Sequence, residues 1–143
     1  MALEFLSPLH KASRQISVYL ETHTRELGVS PAEGHVITYL GSYGPVQVGE
    51  LVRVFGMKQS TLTSMLDRLE RAGMVLRAPN PDDRRSFLVD TTDYGVDLAI
   101  RLTNVLTRFE EEIRECITDE QLAGFRAVMA AVDQVTRVQL RDR

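Results

Sequence analysis

Residues 57–95 constrain this chain more than any other stretch. Leu62, Met65, Leu66 and Leu69 recur at i, i+3, i+4 and i+7, the spacing of one buried face on an α-helix. The opposite face carries Ser60, Thr61, Thr63 and Ser64, followed by Arg68 and Arg71. A helix that is apolar behind, and small, hydroxylated and then cationic in front, is what a DNA major groove accepts. Gly73 ends it. Two short β-inclined runs, 75–79 and 86–90, flank an Asn80-Pro81-Asp82-Asp83 turn and put Arg84 and Arg85 at a hairpin tip. The stretch reads as a recognition helix followed by a wing.

The rest of the chain reads as helices around that unit. Ser7-Pro8 is a helix entrance, and Leu9, Ala12, Ile16, Leu20 and Leu27 hold an apolar stripe up to Gly28. Ser30-Pro31-Ala32-Glu33 is a second entrance with a capping box, leading into Val36, Ile37 and Leu40 and stopping at Gly41. A turn over residues 42–45 leads to a third helix with Val48, Leu51, Val52 and Phe55 on one face, closed by Gly56. Three short helices on tight connections are the layout of a helix-turn-helix unit. Thr92 caps a long helix to about Ile117, with Leu98, Leu102, Val105, Phe109 and Ile113 on one side. Thr118-Asp119-Glu120-Gln121 opens a last one with Leu122, Phe125, Val128 (or Met129), Val132 and Val135 inward. No internal repeat or low-complexity segment interrupts this order.

The expected fold class is therefore mainly α (α+β). A winged helix-turn-helix DNA-binding domain occupies residues 31–91, and the terminal segments 1–30 and 92–143 form a helical dimerisation region. The small centre can cover only part of the stripes on the first and last two helices. A second copy of the chain is the simplest cover. A two-fold dimer would also set two recognition helices about 10 bp apart, one turn of duplex.

Charge bears on the partner. The net formal charge of −3 opposes nucleic-acid binding as a global figure, but residues 53–85 hold seven Lys/Arg against four Asp/Glu. Phosphate attraction is local, because salt screens charges beyond about 8–10 Å. A basic middle between acidic flanks is compatible with DNA and discourages indiscriminate adhesion. No apolar run approaches the roughly 18 residues of a membrane span, the N-terminus lacks a secretory signal, and one cysteine makes no internal disulfide. The expectation is a cytoplasmic protein with no membrane partner. His10, His23 and His35 are dispersed, no metal-ligand spacing occurs, and no cofactor is expected. No nucleophile–base pair or phosphate loop supports catalysis.

Taken together, the motifs resemble the MarR family of winged helix-turn-helix transcriptional regulators. The resemblance rests on STLTSMLDRLERAGMV, DDRRSFLV and TTDYG, about forty residues in motif and the whole chain in layout. It implies a homodimeric regulator, usually a repressor, that binds a palindromic operator in double-stranded DNA and is often released by a small aromatic or acidic effector. By the same resemblance Ser60, Thr61, Thr63 and Ser64 face the groove, beside Gln59, and Arg68 contacts the DNA backbone. Asp83 and Arg85 match the wing's Asp-x-Arg, in which the aspartate orients an arginine bound for the minor groove; a narrow A·T-rich groove concentrates negative potential. Arg84 and Arg77 are candidate backbone contacts. Gln47 lies near the DNA backbone at the start of the third helix, ahead of Glu50 as a candidate. Lys58 stands where many members carry a serine cap and is a candidate DNA contact, useful against phosphate; Thr91 stands where the family usually has leucine, and Cys116 is remote from the N-terminal cysteine of peroxide-sensing members.

An effector crevice, if packing follows the family, would be lined by Ile16, Tyr19, His35, Tyr39, Phe55 and Met65. Aromatic residues at those places serve equally as core. Cys116, between apolar neighbours, reads as a packing residue at the dimer seam rather than a redox group. The rival reading of the whole is a winged-helix protein-interaction module, whose helix docks on a protein and whose binding responds weakly to salt.

Overall fold

The structure, a computed structural model, describes residues 3–138. Helix α1 (Leu6–Thr24) runs through a 3-10 turn (Arg25–Leu27) into α2 (Pro31–Tyr43), a two-residue strand β1 (Val46–Gln47), α3 (Val48–Phe55) and α4 (Gln59–Arg71). A hairpin of β2 (Val75–Asn80) and β3 (Asp83–Thr91) follows, then α5 (Asp93–Glu115) and α6 (Asp119–Thr136). The sheet is antiparallel in the order β1-β3-β2. It is a mainly helical winged-helix fold with a small antiparallel sheet. No helix among the described residues is long and apolar enough to cross a membrane.

Local chemistry sets most of the boundaries. Ser30 Oγ accepts the Glu33 amide at 3.2 Å while the Glu33 carboxylate accepts the Ser30 amide at 3.4 Å, closing the α2 capping box. Thr118 and Gln121 do the same for α6, and Thr92 Oγ1 accepts the Gly95 amide at 3.0 Å to start α5. Gly28, Gly56 and Gly73 all adopt positive φ, the left-handed turn that ends a helix at no steric cost.

Three boundaries differ from the sequence reading. Ser7 does not cap α1. The helix begins two residues earlier, Phe5 stands at its N-cap with no side-chain bond, and the Leu9 amide reaches the Phe5 carbonyl at 3.1 Å. Pro8 lies inside the first turn, where a missing N–H leaves nothing unsatisfied. Helix α2 does not stop at Gly41 but continues to Tyr43. Gly41 is there for proximity: a Cβ on it would lie 2.8 Å from the Ala99 Cβ, so α2 and α5 cross at that point. The expected turn before α3 also contains a strand. Val46 pairs with Val89 and Gln47 with Leu88, which makes β3 the central strand.

One core unites the centre. Val36, Ile37, Leu51, Leu62, Leu66, Leu69 and Val89 are fully buried, and Leu98, Ala99 and Leu102 join them from the first turns of α5. Beyond Leu102 the burial stops. Helix α6 contains no buried residue; Phe125 and Val135 are 54% and 82% exposed, and Phe5, Leu6 and Ile113 are exposed as well. Helix α1 meets α5 at Leu20 and Tyr19, and the rest of the terminal stripes stays largely uncovered within the single chain.

Candidate nucleic-acid interface

Helix α4 is held by its inner face. Leu62, Leu66 and Leu69 are fully buried and Met65 half-buried against the core. Lys58 occupies the N-cap position with no side-chain bond, leaving the first amides of α4 and a cation pointing outward together. Gln59, Ser60, Thr61, Thr63 and Ser64 are all exposed, so the hydroxyl groups lie on the open face of the N-terminal half. Gln47, the N-cap residue of α3, is also exposed.

The wing tip is built by an irregular register. The β2–β3 ladder runs from Val75↔Thr91 to Pro79↔Phe87 and then slips to Asn80↔Asp83, so Arg84, Arg85 and Ser86 bulge from the β3 side. A bulge of this kind re-aims side chains. Asp83 Oδ1 accepts the Arg85 amide at 3.0 Å, fixing the backbone from which the Arg85 side chain departs. Asn80, only 4% exposed, pins the loop from inside: it accepts the Asp82 amide at 3.0 Å and donates to Ser86 Oγ at 3.1 Å. Arg84 and Arg85 are exposed and form no ion pair among the described residues. Asn80 reads in the sequence only as a turn residue; its place directly before Pro-Asp is the signal that it accepts its own turn's amide.

Two arginines that the sequence offers as DNA contacts are engaged within the protein. Arg68 donates to the Glu33 carboxylate and, at 3.3 Å, to the Gly28 carbonyl, tying α4 to the start of α2. Arg77 donates through Nη2 to Asp67 at 2.5 Å and through Nε to Glu70 at 2.6 Å. Those two hydrogen bonds raise its pKa above the already high ordinary arginine value. Both sets of partners lie far enough away in sequence to escape a local reading. The other cations between residues 53 and 85, Arg53, Lys58, Arg71, Arg84 and Arg85, are exposed.

The six residues expected around an effector do not converge in the single chain. Tyr39 lies in the core, donating to Glu50 at 2.8 Å and meeting the edge of Phe55. Met65 packs on the same cluster. Tyr19 instead stacks on Phe109 of α5 with centroids 4.7 Å apart, and Ile16 is exposed one turn away. His35 borders a void of about 10 Å³ between α1, α2 and α5. That is room for about one water. Cys116 is exposed in the single chain. Among the described residues no cluster of His, Cys, Asp or Glu is arranged to hold a metal.

Comparison with known proteins decides what carries this geometry. The sequence profile described as the MarR family matches residues 29–87. The chain belongs to the MarR family. It is 34% identical over 89 residues to the HTH-type transcriptional regulator PecS of Dickeya dadantii (strain 3937), covering 62% of this chain and 54% of PecS. It is 27% identical over 130 residues to the HTH-type transcriptional regulator YsmB of Bacillus subtilis (strain 168), covering 86% of this chain and 87% of that one. In fold it is similar to the S. aureus MepR–DNA complex, with a TM-score of 0.87 at 15% identity, over 94% of this chain and 99% of that one. The relatives of this MarR-family chain, and its fold, are those of transcriptional regulators and not of enzymes.

Proposed function

We propose that this MarR-family chain is a homodimeric repressor that reads a palindromic operator in double-stranded DNA. The observation that carries the reading is the pairing of two exposed surfaces on one rigid body. The hydroxyl face of α4 stands open over a fully buried stripe, and the bulged tip of β2–β3 presents Arg84 and Arg85. Ser60, Thr61, Thr63 and Ser64 read base edges in the major groove; Arg85 enters the adjacent minor groove and Arg84 takes a phosphate. Residues 1–30 and 92–143 supply the dimer contact, which the exposed stripes of α1, α5 and α6 support. A relative's fold seen with DNA supports the partner class. Release by a small aromatic or acidic effector belongs to the same reading. Since its expected lining is split between two places in one chain, such a site would draw on the second copy.

The test is selection of bound fragments from random DNA followed by titration of the winner. Arg85→Ala is expected to weaken binding by about 1–3 kcal/mol, and a Ser64 substitution to change the preferred sequence more than the overall affinity. Wild-type affinity is expected to fall about 10³-fold between about 50 and 200 mM salt if some six phosphates are contacted. A shallow salt response with no preferred sequence would favour a protein-docking module instead.

A further inference from the structure

We infer that Arg77 is a positioning residue, a strut that holds the wing at its working angle to α4 and takes no part in touching DNA; this rests on the DNA-binding reading above. Val75 and Val89 are the last fully buried rungs of the hairpin. Beyond them the sheet leaves the body of the protein: Pro79 is exposed, and Phe87, its partner on the same face, is 52% exposed. Arg77 pairs across from Val89, at the root of that overhang. Its guanidinium meets Asp67 and Glu70, which lie three residues apart on one face of α4, through two different nitrogens. A planar fork held at two points fixes an orientation, whereas a single charge contact fixes only a distance. The groove between helix and hairpin is otherwise open, lined by Asp67, Glu70, Arg71 and Arg77.

The lever arm makes this geometry matter. Three residues of strand, 78–80, separate Arg77 from the turn at Pro81, four steps or about 13 Å at the usual rise per residue. A tilt of about 10° at the root would move the tip by about 2 Å, more than the tolerance of a hydrogen bond. Arg77 thus acts through Arg84 and Arg85.

A direct DNA contact and a strut make opposite predictions for the two carboxylates. If Arg77 reached phosphate, the double variant Asp67→Asn, Glu70→Gln would release it, remove two negative charges from the DNA-facing side and tighten binding. As a strut partner, the same variant should weaken binding about fivefold, and Arg77→Gln should do likewise. Placed on an Arg84→Ala, Arg85→Ala background, Arg77→Gln should add almost nothing, because the residues it serves are gone. Amide exchange of residues 80–86 in the DNA-free protein should quicken in both variants while the α2–α4 core keeps its protection. Tighter binding by the carboxylate variant, or an Arg77→Gln effect that adds in full to the Arg84→Ala, Arg85→Ala pair, would overturn the strut. Unchanged exchange at the hairpin would do the same. Wild-type protein that selects no DNA would instead count against the DNA-binding reading, and the exchange measurement would still decide the role of Arg77.

Discussion

Gly95→Ala is the sharpest structural test of how the wing root is joined to α5. A Cβ at Gly95 would lie 2.0 Å from the Met74 carbonyl oxygen and 3.1 Å from the Thr91 Cβ. An ordinary carbon–oxygen contact needs about 3.3 Å, so the first turn of α5 would have to retreat by about 1.3 Å. Three bonds hold it in place. Thr92 Oγ1 accepts the Gly95 amide at 3.0 Å and donates to the Gly73 carbonyl at 2.6 Å, and the Thr92 amide donates to Met74 at 3.2 Å. Retreat costs the cap, about 1 kcal/mol. It also costs a further hydrogen bond, about 1 kcal/mol, and adds overpacking of about 1–3 kcal/mol. Alanine's better helix propensity returns about 1 kcal/mol. The net is a loss of about 2–4 kcal/mol, or about 5–15 °C in melting temperature for a chain of this size. Urea unfolding followed by far-UV circular dichroism, at one fixed protein concentration, measures it. Gly49→Ala is the control: no atom lies within 4 Å of the added methyl, and stability should hold or rise slightly. If Gly95→Ala proves as stable as the wild type, the close approach has no energetic meaning and the reasoning fails.

Other perturbations separate the remaining parts. Ser30→Ala breaks the α2 capping box and should cost about 1 kcal/mol, read as a shift in the urea midpoint without a change in slope. Asn80→Ala strands the Asp82 amide and leaves Ser86 Oγ with only its bond to the Asp83 carbonyl, so amide exchange at Asp82 should rise and DNA affinity fall while the melting temperature barely moves. Val132→Asp puts a carboxylate on the apolar stripe of α6. Sedimentation should then show a monomer at concentrations where the wild type is dimeric.

Much of the fold could be read in the residues because its determinants are local. The i, i+3, i+4, i+7 stripe of α4 became three fully buried leucines and a half-buried methionine, and the caps at Ser30, Thr92 and Thr118 start helices where the hydroxyls stand. What escaped depends on residues brought together from a distance. Two residues of β1 carry no alternation, and only the strand across from them makes them a strand. Gly41 resembles a helix stop until α5 passes beside it at Ala99. Arg68 and Arg77 look alike to Arg84 and Arg85 in a charge count, yet Glu33, Asp67 and Glu70 neutralise the first two. The aromatic residues proposed around an effector rest on the family's packing, and in the single chain Tyr19 meets α5 while Tyr39 lies in the core.

Helix α5 has one more implication. Leu98 and Leu102 are embedded in the same core as α4, and the same unbroken helix continues to Glu115 among the arms that await a partner. No pliable joint separates the reading head from the handle. In the proposed dimer each half would therefore behave like the jaw of a fixed-gauge caliper, and a two-half operator whose halves were moved apart by a single base pair would present its second half both displaced and rotated out of the jaw's reach.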